Sequence, residues 1–218
     1  MATPTAVLIV EDHAVLSEAL VARVDREHDI RVVGSTSSAS QVLPMVEARR
    51  PDVVLVDVEL GDDNGLDLIE PIRVKPSCPR IVVLTCRSDT DTVVSALRQG
   101  ASAFVPKTAP VDDLLLAIRT VAVGDLWVSP AVLSRILPEV LLAQDGRNTK
   151  EEIPALTDRE REVLTLMVEG FPNAAIAEHL HLSIHTVRTH AHNLQRKLNV
   201  HSKLAAAALA HRLGIRPA

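Results

Sequence analysis

Short, wholly apolar runs alternate with longer stretches of helical periodicity over the first half of the chain. Ala6–Val10, Ile30–Val33, Val53–Val56, Ile81–Leu84 and Ala103–Val105 are rich in β-branched residues and carry no polar face. That pattern predicts strands buried on both sides, as in a parallel sheet. Between them, apolar residues recur at helical spacing over His13–Asp25, Ser38–Arg49, Gly65–Arg73, Asp89–Gln99 and Val111–Val123. Five such βα units predict an α/β fold with a five-stranded, doubly wound, flavodoxin-like parallel sheet. Pro71 interrupts the third helix, because proline lacks the N–H an interior helical position donates.

The second half changes character. Ser129-Pro130 signals a helix start, with the helix expected over Pro130–Leu142. Gln144–Glu152 is polar and aperiodic, as a linker is. Thr157 and Glu160 have the spacing of a capping box. Helices are expected at Thr157–Glu169, Asn173–Leu180, Ile184–Leu198 and Ser202–Arg212, a small four-helix unit in which His181 and Leu182 make a tight turn before Ser183 caps the third helix. The expected organisation is a domain over 1–125, a linker with a helix over 126–153, and a helix-turn-helix domain over 154–218.

Charge sharpens this division. The net charge of −5 conceals an asymmetry: residues 1–125 hold 19 acidic and 12 basic side chains, whereas residues 183–218 hold six lysines and arginines and no acid. A basic face confined to one end points to a polyanion bound there. The aromatic side chains, Phe104, Trp127 and Phe171, are too few for a single-strand stacking platform. Cys78 and Cys86 make no disulfide framework, and no apolar run reaches membrane-spanning length, so a cytoplasmic protein with no membrane partner is expected.

Candidate chemistry collects at the carboxyl ends of the strands, where doubly wound sheets place their ligand crevice. Glu11 and Asp12 follow the first strand, Asp57 ends the third, Thr85 ends the fourth and Lys107 follows the fifth. Converging carboxylates call for a hard divalent cation such as Mg²⁺. An ammonium and a hydroxyl beside it suit a phosphoryl group, with Asp57 as nucleophile.

On these residues the chain resembles the receiver domain of two-component response regulators. The resemblance rests on Val7-Leu8-Ile9-Val10-Glu11-Asp12, Val53–Asp57, Leu84-Thr85, Ala96–Ala101 and Phe104-Val105-Pro106-Lys107. It implies that a sensor histidine kinase phosphorylates Asp57. It also implies that Glu11, Asp12, Asp57 and the carbonyl of Glu59 bind Mg²⁺, that Thr85 and Phe104 are switch residues, and that Lys107 holds phosphoryl oxygens. Two departures stand out. Gly61 occupies a position where the family usually has proline, and Pro106 precedes Lys107, where a proline more often follows the lysine. Glu59 and Arg87 are expected to pair across the pocket mouth.

In Ile184–Leu198 the apolar positions Ile184, Val187, Ala191, Leu194 and Leu198 share one face. His185, Arg188, Thr189, His192 and Arg196 form a polar, partly basic stripe able to enter a major groove, while Asn193 and Lys197 suit phosphates. Leu156–Leu164, Ile176-Ala177, Ser183, Thr186–His190 and Lys197-Leu198 resemble the helix-turn-helix of LuxR-type regulators. With the receiver, the chain resembles the NarL/FixJ subfamily. The resemblance implies groove contacts from Arg188, Thr189 and His192, with His185 and Thr186 beside them, and a dimerising last helix. The expected function is a phosphorylation-dependent transcriptional regulator of promoter DNA, a homodimer when active and not a turnover enzyme. Two rivals remain: a phosphatase or phosphotransferase with an aspartyl-phosphate intermediate, and a constitutive DNA binder with a non-switching receiver.

Overall fold

The computed structural model describes residues 3–75, 78–86, 89–129, 132, 156–169, 171–198, 200 and 206. Contacts divide the chain into two compact units, one built on residues 1–122 and 127–137 and the other on 123–126 and 138–218.

The first unit is a doubly wound α/β sheet. Its elements are β1 (Thr5–Val10), α1 (Ala14–Val24), β2 (Ile30–Thr36), α2 (Ala39–Arg49), β3 (Val53–Asp57), β4 (Glu59–Leu60), β5 (Asp63–Asn64), a 3₁₀ turn at Gly65–Leu68, α3 (Ile69–Arg73), β6 (Arg80–Thr85), α4 (Thr90–Gln99), β7 (Ala103–Pro106), α5 (Val111–Ala122) and β8 (Trp127–Val128). The main sheet runs β2-β1-β3-β6-β7-β8, every pair parallel. The order reverses between β1 and β3, and that switch point lies where Val10 leads into Glu11 and where β3 ends in Asp57.

Side chains alternate across this sheet. Val7, Ile9, Val53, Leu55, Val82, Leu84, Ala103 and Val105 face one way and form a single core with α1 and α5. Their neighbours Leu8, Val54, Val56, Ile81, Val83 and Phe104 are equally buried, and by alternation they point to the other face. All of β3 is buried, which is why it reads as unbroken apolar sequence. Each such side chain contributes about 1.5–3 kcal/mol on burial.

Three features differ from the sequence reading. Gly65–Arg73 is a 3₁₀ turn followed by a five-residue α-helix. Pro71 sits at the third helical position, where its missing N–H costs nothing. Trp127-Val128, expected within a linker, instead forms a sixth strand on β7: Trp127 N donates to Ser102 O at 3.0 Å, and Ala103 pairs with Trp127. Glu59–Asn64 is a small hairpin of β4 and β5. Strands of two residues have no periodicity to read.

The second unit contains α6 (Asp158–Val168), α7 (Asn173–His179) and α8 (Ile184–Lys197). The capping box is present: the Thr157 hydroxyl accepts from Glu160 N at 3.3 Å, and Glu160 Oε2 accepts from Thr157 N at 2.8 Å. His181 adopts φ +53° between α7 and α8, a left-handed conformation in which histidine is enriched. Ser183 then caps α8 by accepting from Thr186 N at 3.0 Å. Val163, Leu164, Met167, Ile176, Val187, Leu194 and Leu198 fill the core, joined by Ala206. The expected linker helix and final helix lie outside the described residues, apart from Val132 and Ala206, which are helical.

Candidate functional site

Four carboxyl-end segments of the first sheet converge as expected. β1 delivers Glu11 and Asp12, β3 delivers Asp57, β6 delivers Thr85 and β7 leads to Lys107. Lys107 is held in register by its own amide, which donates to Thr85 O at 2.8 Å. Its ammonium donates to Asp57 Oδ2 at 2.6 Å and to Glu11 Oε1 at 3.0 Å. Asp57, Glu11 and Thr85 are almost wholly buried. Phe104 is fully buried on β7.

Burial pushes the Asp57 carboxyl above its ordinary range, against the opposing pull of Lys107. Burial also works against the Lys107 charge, yet the bonds to Asp57 and Glu11 outweigh it and raise the lysine. Each group therefore depends on the other for its ionised form.

Sequence reasoning passed over His13. Its Nδ1 lies 3.0 Å from Glu11 Oε1 and 2.9 Å from Asp12 Oδ1. The bond to Glu11, then the Asp12 charge, raise the imidazole above its ordinary value. The signal was simple adjacency to two acids. The contacts of two glycines, Gly65 and Gly61, were not readable from the sequence. Gly65 packs so closely on β3 that a Cβ there would stand 1.8 Å from the Asp57 carbonyl oxygen. Gly61 donates its amide to Asp12 Oδ2 at 2.9 Å.

The donor set fits a hard cation. Ligand atoms of Glu11, Asp12, His13 and Asp57 lie within 4.8 Å of one another. Two buried carboxylate oxygens, Glu11 Oε2 and Asp12 Oδ1, accept no hydrogen bond. Lys107 Nζ stands 2.8 Å from Glu11 Oε2, but off the hydrogen-bonding direction. Three carboxylates face one lysine and the His13 imidazole, so negative charge is still in excess, and oxygen donors of this kind suit Mg²⁺. The side chain of Glu59 is exposed and stands outside the cluster; its amide donates to Asp57 Oδ1 at 3.2 Å. Arg87, its expected partner, lies outside the described residues.

On α8 the two faces separate as the periodicity predicts. Val187 and Leu194 are fully buried. His185, Thr189 and Arg196 are exposed, and Arg188 and Asn193 are half-buried. Thr186 pairs with Ser183 through their hydroxyls at 2.7 Å, so it serves the helix cap. Lys197 is turned to α6, where Nζ donates to Glu160 Oε2 at 2.7 Å. His192 lies on the same helix.

Residues 7–119 match the response regulator receiver domain, and residues 154–210 match the bacterial regulatory proteins of the luxR family. The chain is 33% identical over 211 residues to the nitrate/nitrite response regulator protein NarL of Escherichia coli strain K12, covering 95% of each chain. It is 33% identical over 206 residues to the transcriptional regulatory protein LiaR of Bacillus subtilis strain 168, covering 94% of this chain and 96% of that one. Among solved structures it is similar to RcsB from Salmonella enterica serovar Typhimurium bound to promoter P1flhDC in the presence of phosphomimetic BeF₃⁻. There the TM-score is 0.58 and the identity 25%, over 94% of this chain and 97% of that one.

Proposed function

Because this chain belongs to the two-component response regulators that join a receiver to a LuxR-type DNA-binding domain, we propose that phosphorylation of Asp57 controls its dimerisation and its grip on promoter DNA. The family consists of transcription regulators, not turnover enzymes. Among the described residues, no helix is long and apolar enough to cross a membrane.

One observation carries the reading: Lys107 Nζ stands 2.6 Å from Asp57 Oδ2 at the end of β3, in a cluster with Glu11 and Asp12. The phosphodonor is a phosphohistidine on a sensor histidine kinase. An Asp57 oxygen forms a bond to phosphorus as the N–P bond breaks. The imidazole leaves with that electron pair and takes a proton from water. Lys107 then exchanges its contact with the carboxylate for one with a phosphoryl oxygen. Glu11, Asp12, Asp57 and the carbonyl of Glu59 would hold Mg²⁺, which would supply positive charge for the remaining phosphoryl oxygens.

The switch runs through Thr85 and Phe104. Thr85 turns its hydroxyl to the phosphoryl group, and the space it vacates admits Phe104, altering the surface around β6, α4 and β7. Moving a population from 1:99 to 99:1 needs about 5.5 kcal/mol. Hydrogen bonds to charged groups contribute about 1.5–3 kcal/mol each, so about two to four suffice.

The readout is α8. Its polar stripe, His185, Arg188, Thr189, His192 and Arg196, of which His185, Thr189 and Arg196 are exposed, enters the major groove, with Asn193 and the helix N-terminus toward phosphates. Two copies present two such helices to paired half-sites. The charge asymmetry of the sequence and the separation of faces on α8 support this.

The test titrates promoter DNA with the full chain, with and without acetyl phosphate and Mg²⁺, for wild type and Asp57→Asn. A phosphodonor-dependent gain in affinity and dimer mass, absent in the variant, is expected. Equal affinity in all four conditions points to a constitutive binder and overturns the reading.

A further inference from the structure

The hairpin that follows Asp57 reaches back into the acidic pocket with two backbone amides. Glu59 N donates to Asp57 Oδ1 at 3.2 Å, and Gly61 N donates to Asp12 Oδ2 at 2.9 Å. Residues two apart on an extended segment point the same way, so these alternate amides form a pair of prongs. One holds the carboxylate at the end of β3, and the other holds the carboxylate beyond β1.

Gly61 owes its place to the hairpin. Glu59 pairs with Asn64 and Leu60 with Asp63, which leaves Gly61 and Asp62 as the connection. Gly61 has φ +60°, and Asp62 has no positive φ. Positive φ at the first connecting residue alone is the requirement of a II′ turn, which favours glycine there. Steric room is not the constraint, since a Cβ on Gly61 would meet nothing within 4 Å. The position requires a left-handed backbone and an N–H. Proline, which the family pattern usually carries here, supplies neither.

The consequence falls on Asp12. With Oδ2 engaged by the backbone, the carboxylate plane is fixed. Its other oxygen, Oδ1, is buried within the cluster of Glu11, His13 and Asp57, 2.9 Å from His13 Nδ1 but off its hydrogen-bonding direction. We propose that the Gly61 amide is a positioning group for the divalent cation: it sets Asp12 so that Oδ1 alone is presented as ligand. In this chain a backbone bond does work that the family's proline cannot. The proposal rests on the cation-binding reading above.

The experiment measures Mg²⁺ affinity by calorimetry on the full chain for wild type, Gly61→Asn and Gly61→Pro, with thermal unfolding in the absence of metal as a control. Asparagine tolerates the left-handed region and keeps the N–H. Gly61→Asn is expected to bind within about threefold of wild type, and Gly61→Pro to lose roughly tenfold to hundredfold, the range of one hydrogen bond to a charged group. Wild-type affinity in Gly61→Pro, or an equal loss in both variants, overturns the proposal. No Mg²⁺ binding by wild type overturns the cation reading itself, and this assignment with it. Should the proline variant fail to fold, amide exchange decides. The Gly61 amide is expected to be protected in wild type and to exchange faster in Asp12→Ala, and equal protection in both overturns the assignment.

Discussion

Lys197 Nζ lies 2.7 Å from Glu160 Oε2, joining the C-terminal turn of the basic helix α8 to the first turn of α6. The same oxygen accepts from the Thr157 amide at 2.8 Å and the Thr157 hydroxyl at 3.0 Å. One buried carboxylate thus closes a capping box and anchors the helix assigned to DNA. A lysine that reads in sequence as a phosphate contact is engaged inside its own domain.

That arrangement separates Lys197 from Arg196. A side chain that neutralises one phosphate lowers the salt dependence of DNA binding by about one unit of slope when removed. Arg196→Ala is expected to do so. Lys197→Met is expected to leave the slope unchanged and to lower the thermal stability of the protein. Glu160→Ala, which also removes the reciprocal cap, is expected to cost about 1–2 kcal/mol. Titrations of promoter DNA at several salt concentrations, with thermal melts, check both.

Lys107 stands against two buried carboxylates, so replacing it leaves Asp57 without its cation and Glu11 with His13 alone. Lys107→Met is expected to push the Asp57 carboxyl further up, since burial is then less opposed. Labelling of Asp57 by acetyl phosphate should slow at neutral pH, and the response of DNA affinity to phosphodonor should disappear. Intact-mass measurement of the phosphorylated fraction over time is the readout.

Gly65 and Gly34 offer a graded steric test. A Cβ at Gly65 would stand 1.8 Å from the carbonyl oxygen of Asp57, and backbone cannot swing aside. At Gly34 the nearest atom is the terminal methyl of Met45 at 2.7 Å, the end of a flexible side chain. Gly65→Ala is expected to cost about 1–3 kcal/mol, as overpacking does, and to impair phosphorylation because the strain falls on β3 at Asp57. Gly34→Ala should cost less and leave phosphorylation intact. Denaturant midpoints and acetyl phosphate labelling report the two effects.

Arg119 on α5 donates through Nε to Asp29 Oδ2 at 2.7 Å and through Nη2 to Asp29 Oδ1 at 2.8 Å and Glu27 Oε2 at 2.6 Å. The bidentate pair brings the Asp29 carboxyl down to about 2. A carboxyl lowered in the folded state stabilises above its unfolded value and loses that contribution as pH falls through its folded one. Stability should therefore decline between about pH 4 and pH 2 with a component that Asp29→Asn removes. Both side chains are partly exposed, so the effect is modest. Urea midpoints for wild type and variant across that range measure it.

Much of the site was legible in the linear chain because a parallel sheet places strand ends together. Once five apolar runs are read as strands, Glu11, Asp12, Asp57, Thr85 and Lys107 must meet at one edge. The capping box at Thr157 and the serine cap of α8 were equally plain, since caps are local. The hairpin at Glu59–Asn64 and the strand Trp127-Val128 were not, because two-residue strands exist only by virtue of the partners they pair with. The short α3 reflects a competition at Pro71 that periodicity alone could not resolve.

The order of residues determined which side chains are buried, where helices begin, and which end of the chain carries the positive charge, because these follow from near-neighbour spacing. Only the tertiary structure decided the partners. Lys197 turns to Glu160 across 37 positions, and the Gly61 amide reaches Asp12 across 49. Hydrogen-bond direction over such separations is set by how the elements pack, and no local pattern encodes it.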